Sequence, residues 1–153
     1  MIQLYLAAPL FSEAQRTWNK SFSNGLLAAI GKRQFKTKTM IILPQELTIK
    51  PHYGSLAFAE EAYRKCICHL EYSTAVIAVL DGSQADDGTA FEVGYACAMN
   101  IPVIGIRSDP RPGEWNGCNI MLAIGCKKIH TYKENIEYEP LVDNIRMAAR
   151  KEL

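Results

Sequence analysis

The sequence lacks a charge excess of either sign: 17 Lys+Arg face 16 Asp+Glu, for a net charge of +1. Nucleic-acid binders usually carry a basic face or run, and acidic solvating chains the opposite excess, so neither class fits. No stretch reaches the roughly 18 unbroken apolar residues of a membrane span. Cysteine is sparse and odd in number, 5 in all with no Cys-x-x-Cys pair, which argues against a disulfide scaffold and for a reduced, cytoplasmic protein. Cys66, Cys68 and His69 lie close together, but a structural zinc site needs four ligands at hairpin spacing, so no metal or cofactor is expected. No Gly-x-Gly-x-x-Gly follows the first apolar run and no Gly-x-x-x-x-Gly-Lys-[Ser/Thr] occurs, which excludes a dinucleotide fingerprint and a P-loop. No acidic cluster ends that run either, which weighs against a phospho-accepting receiver domain. Residues 1–6 show no basic region ahead of the apolar run, so no secretory leader is expected. Repeats and low-complexity tracts are absent.

What remains is a chain of 153 residues that is 48% hydrophobic, enough for one domain spanning residues 1–153 with an unstapled core. Apolar runs at 2–8, 39–43, 75–80, 101–106 and 127–132 predict about five strands. Helical segments are predicted at 12–30, 54–72, 89–100 and 138–150, the first opened by the capping box Ser12-Glu-Ala-Gln15. Residues 32–38 form a basic linker. Alternating strands and helices predict an α/β fold: a three-layer sandwich around a parallel sheet, with 75–80 as its central strand. Such sheets bind ligands beyond the carboxyl ends of their strands, here on the loops after residues 8, 43, 80 and 106.

One segment stands out. The 19 residues from Gly88 to Ile106 carry a single charge, Glu92. A carboxylate in so apolar a helix is costly unless hydrogen-bonded or near a positive helix end, and Glu92 sits near the helix start. Gly88, Thr89, Ala90, Gly94 and Ala96 around it are small, which lets a ligand approach the backbone. Asp86 and Asp87 precede the helix; one caps it and the other is free to face the cleft. Two carboxyl groups in unlike environments, one ionised nucleophile and one acid or base of raised pKa, suit glycosyl chemistry.

Three blocks carry a resemblance. Tyr5-Leu-Ala-Ala-Pro-Leu-Phe-Ser12, Ala75-Val-Ile-Ala-Val-Leu-Asp-Gly82 and Asp86-Asp-Gly-Thr-Ala-Phe-Glu-Val-Gly-Tyr-Ala96 together resemble the nucleoside 2-deoxyribosyltransferases, and Asn119-Ile-Met121 is similar to the family's Asn-Leu-Met segment. The likeness runs from residue 4 to about residue 131. It implies a flavodoxin-like fold and a retaining transfer of 2-deoxyribose between bases in nucleoside salvage. The implied partners are a 2′-deoxynucleoside and a free nucleobase, without nucleic acid or membrane. By position, Glu92 matches the nucleophile, Asp86 the acid that hydrogen-bonds the base, and Tyr5 the residue that holds the nucleophile. Asn119 matches a residue that a neighbouring subunit supplies to the sugar 5′-hydroxyl, with Met121 as its apolar companion, which implies a homo-oligomer.

The sequence departs from that pattern at Cys66, which stands where many members carry an Asp that contacts the base. Gln45 and Glu46 are alternative polar groups for the base, and Phe11, Leu43, Tyr53 and Phe91 are candidates to shape its pocket. Two other readings stand beside transfer. A related N-glycosidase would use the same glutamate with water as acceptor and prefer 5′-monophosphates, with Ser12 and Arg16 beside the first helix as phosphate donors. A non-catalytic nucleotide sensor would tolerate the loss of an acid at Cys66.

Overall fold

The structure is a computed structural model and describes residues 1–33 and 37–152. Among the described residues, five strands form one sheet: β1 (Ile2–Ala7), β2 (Thr39–Ile42), β3 (Ala75–Val79), β4 (Val103–Arg107) and β5 (Lys128–Thr131). Their order is β2-β1-β3-β4-β5 and every pairing is parallel. The described residues also form the helices α1 (Glu13–Lys32), α2 (Leu56–Glu71), α3 (Asp87–Ala98), α4 (Ile120–Gly125) and α5 (Tyr138–Ala149), with a 3₁₀ turn at Pro44–Glu46.

Strand periodicity divides the core in two. On β1, Leu4 and Leu6 point to one face and Tyr5 and Ala7 to the other; on β3, Ile77 and Val79 oppose Val76 and Ala78. The first face is covered by α1 and α5 through Phe22, Leu26, Leu141 and Ile145. The second is covered by α2, α3 and α4 through Leu70, Val93, Ala96 and Ala123. Both faces of the inner strands are therefore buried, which is why these strands read as unbroken apolar runs.

The sequence-based boundaries hold at most elements. Ser12 caps α1 in the expected capping box with Gln15, and β3 is the central strand. The expected linker at 32–38 lies partly outside the described residues. Two short elements are additions: the 3₁₀ turn after β2, and α4 within a segment too short to show helical periodicity. The second helix needs a correction. It starts at Leu56, and of its apolar positions only Leu70 is buried, while Leu56 and Tyr63 are 75% and 59% exposed. That helix touches the sheet with one end and presents the rest of its apolar face outward.

From β1 the chain runs outward to β2 and then returns across β1 to β3, so the direction of winding reverses between β1 and β3. This switch point opens a crevice at the carboxyl ends of the two strands. The second face at that crevice carries Tyr5 from β1 and the start of α3, which follows β3.

Candidate active site

Tyr5 is fully buried among apolar side chains, and its hydroxyl would be costly there without a partner. It donates to Glu92 Oε1 at 2.5 Å, a length typical of a hydroxyl donating to a carboxylate. Glu92 Oε2 has no hydrogen-bond partner among the described residues and is not sealed from solvent. One oxygen is thus held and the other is open to attack an electrophile.

Burial pushes the Glu92 carboxyl up to about 7; the Tyr5 hydrogen bond pulls it down, and the Asp86 carboxylate pushes it further up. This revises the expected division of labour between the two acids, because the raised group is the candidate nucleophile. The helix end gives it little help. Glu92 lies about a turn and a half past the N-cap, and the dipole acts mainly within the first turn. Tyr5 is the group that offsets the burial. Its own hydroxyl is pushed well above the usual range, first by burial and then by the Glu92 charge.

Asp86 is the cap of α3. Its Oδ2 accepts from Thr89 N at 2.9 Å and Thr89 Oγ at 3.1 Å. A Cβ at Gly88 would sit 3.2 Å from that same Oδ2, so glycine there keeps the cap uncrowded. Asp87 is exposed and its Oδ1 accepts from Gly88 N. The capping role and the family's acid position therefore fall on the same residue. Cys66, from α2, packs half-buried against the apolar cluster that contains Tyr5, and burial pushes its thiol up, with the Glu92 charge adding to the rise and the Tyr5 hydroxyl offsetting part of it. Tyr5, Glu92, Cys66 and Asp86 form one cluster.

The remaining expected residues lie apart from it. Asn119 caps α4 by accepting from Met121 N at 2.9 Å, and both residues are exposed. They line a cleft of about 630 Å³ with Gly82, Asp87 and Ala90. A larger cavity of about 830 Å³ opens beyond β4 and β5, between Arg107, Asp109, His130 and Tyr132. Neither is lined by Tyr5 or Glu92. Size does not locate the chemistry here, because the unpaired carboxylate oxygen is elsewhere. Gln45 braces α1, accepting from Asn19 Nδ2 and donating to the Arg16 carbonyl, each at 2.9 Å. Leu43 is packed into the core and is not a pocket wall, whereas Phe11 and Tyr53 are 73% and 80% exposed. Ser12 is engaged as a cap, and Arg16 Nη1 donates to the Leu10 and Phe11 carbonyls, so the expected phosphate donors already have structural partners.

A family model described as nucleoside 2-deoxyribosyltransferase matches residues 4–144. The chain belongs to the nucleoside 2-deoxyribosyltransferase family. Solved structures share the family fold. A conserved protein from Enterococcus faecalis is 23% identical, with a TM-score of 0.73 over 96% of this chain and 98% of that one. A 2-deoxyribosyltransferase from Bacillus psychrosaccharolyticus is 18% identical, with a TM-score of 0.70 over 92% and 90%. A CMP N-glycosidase from Clostridium botulinum is 14% identical, with a TM-score of 0.53 over 94% and 98%. No curated protein matches at a significant level.

Sequence reasoning missed Arg107. It is 3% exposed and donates to the carbonyls of Leu80, Gly82 and Arg111, tying the loop after β3 to the loop after β4. Beside it, Asp81 accepts from Ser108 N, Ser108 Oγ and Asp109 N. The available signal was an arginine directly following the apolar Ile104-Gly-Ile106 and an aspartate directly following Leu80.

Proposed function

We propose that this chain transfers 2-deoxyribose between nucleobases by a retaining double displacement, with Glu92 as the nucleophile. The observation that carries this reading is the Glu92 carboxylate, held at Oε1 by Tyr5 and open at Oε2. Oε2 attacks the anomeric carbon of a 2′-deoxynucleoside, and the C–N bond breaks with its electron pair leaving on the base. Asp86 hydrogen-bonds the departing base, which takes up a proton from solvent there. The deoxyribosyl ester on Glu92 is then opened by a nitrogen of the second base, which loses its proton at the same place. The ester C–O electrons return to Glu92, and two inversions give net retention.

A neighbouring copy completes the site in this reading. Asn119 and Met121 lie on an exposed apolar edge of α4 with Ile120 and Ile124, of which Met121 and Ile124 are 78% and 69% exposed. An apolar edge of that kind suits a subunit interface. No helix among the described residues is long and apolar enough to cross a membrane.

The test is incubation with a 2′-deoxynucleoside, with and without a second free base, followed by chromatography. A new nucleoside that forms only with the acceptor supports transfer. Free base released without an acceptor would instead make the chain an N-glycosidase. Binding without either product would make it a sensor.

A further inference from the structure

We propose that Thr89 is a positioning residue for Asp86: its buried hydroxyl holds one oxygen of the Asp86 carboxylate and leaves the other free to hydrogen-bond the departing base. The proposal rests on the reading of Asp86 as the group that meets the base.

Asp86 is the N-cap of α3 and Thr89 its third helical residue. In a capping box that third residue is Glu or Gln, whose side chain accepts from the N-cap backbone, as Gln15 does for Ser12. At α3 the direction is reversed. The Thr89 backbone N–H and the Thr89 hydroxyl both donate to Asp86 Oδ2, at 2.9 and 3.1 Å. The N–H alone suffices for a cap, so the hydroxyl is a donor beyond what the helix needs. A helical threonine commonly spends its hydrogen on a carbonyl one turn back; Thr89 gives it to a carboxylate. Thr89 is 1% exposed and shares the buried side of α3 with Val93 and Ala96, so its β-branched side chain is fixed by packing.

The terminal torsion of an aspartate is broad, and one donor leaves the carboxylate plane room to swing. A second donor on the same oxygen, carried by a rigid buried side chain, narrows that swing. Asp86 Oδ1 has no hydrogen-bond partner among the described residues and is not sealed from solvent. The two carboxylates of the site therefore share one design. Glu92 is held at one oxygen by Tyr5, Asp86 is held at one oxygen by Thr89, and each keeps the other oxygen open. A base that leaves from a sugar on Glu92 meets an acceptor whose plane is already set, and such prior orientation is worth rate.

The experiment measures kcat/KM on 2′-deoxynucleosides whose bases leave with different ease, in Thr89→Val, Thr89→Ser, Asp86→Ala and the Asp86→Ala, Thr89→Val double variant. Thr89→Val keeps the shape and the capping N–H, so Tm stays near the parent's while kcat/KM falls about tenfold, the scale of one hydrogen bond to a charged group. The loss is larger for poorer leaving bases. Thr89→Ser restores the hydroxyl and most of the rate. In the Asp86→Ala background the valine change costs nothing further, because the group it acts through is gone. Thr89→Ala also lacks the hydroxyl and gives the same comparison if the valine variant does not fold. A hydroxyl-free variant as active as the parent, or the same loss in the Asp86→Ala background, overturns the proposal. A parent without turnover on any 2′-deoxynucleoside overturns the reading of the site and this proposal with it, whereas an active parent with an unaffected valine variant overturns only the role of Thr89.

Discussion

Tyr5 and Glu92 lie 87 residues apart in sequence and meet at 2.5 Å across the switch point of the sheet. The strand that supplies the hydroxyl and the helix that supplies the carboxylate pack on the same face of the sheet, with Tyr5 fully buried and Glu92 part-buried above it. The pair sets how much of Glu92 is ionised at a given pH.

Tyr5→Phe removes the one hydrogen bond that counteracts burial. The acidic limb of kcat/KM should then move up by about one unit, lowering the rate near pH 6 by roughly tenfold. A pH–rate profile checks this. A uniform loss at all pH values would mean that Tyr5 shapes the pocket and does not tune the nucleophile.

Glu92 also couples pH to stability. The raised carboxyl binds its proton more tightly in the folded chain than in the unfolded one, where its value is 4.5. Below that pH both states are protonated and there is no net effect. Between it and about 7 the unfolded state loses its proton first, so stability falls as pH rises. The full loss is about 3 kcal/mol, on the order of 1.4 kcal/mol per unit. Urea unfolding of the parent and Glu92→Gln across this range should show the parent losing stability with pH relative to the variant. Parallel curves would contradict the buried, unpaired character assigned to the carboxylate.

Asp86 combines two tasks that substitution can separate. Asparagine caps a helix as well as aspartate does, so Asp86→Asn should keep its stability, whereas Asp86→Ala should lose about 1 kcal/mol. Both should lose turnover by about 10²-fold or more, the range for a missing acid–base group. Thermal melts and steady-state rates, taken together, decide it. An active asparagine variant would reduce Asp86 to its cap.

Fold and site were unequally legible. The five strands and their order of burial follow from apolar runs that are covered on both faces, and Ser12-Glu-Ala-Gln15 marked the start of α1 through a local hydrogen-bond pattern. Glu92 was visible because a lone charge in an apolar segment needs a reason. The exposure of Leu56 and Tyr63 on α2 was not legible, since a sequence pattern can show an apolar stripe but not what covers it. Arg107 was harder to read for another reason. Its hydrogen bonds go to the backbone carbonyls of Leu80, Gly82 and Arg111, which leave no mark in a sequence, and its charged neighbour, Asp109 at 3.8 Å, reads there as an ordinary loop residue.

Arg107→Met tests that buried anchor. The guanidinium and its carbonyl partners are desolvated together, so removing it should cost about 3 kcal/mol and loosen the loops after β3 and β4. A chemical denaturation midpoint unchanged from the parent would show that the loops hold without it.

The central claim is that Glu92 becomes covalently attached to the sugar. A slow 2′-deoxynucleoside analogue mixed with the protein, quenched and digested for mass spectrometry, tests it directly. The account predicts a mass increase of one deoxyribosyl group on the peptide containing Glu92, absent in Glu92→Gln and lost when a second base is added. An adduct on another residue, or turnover of the same analogue by Glu92→Gln, would contradict it.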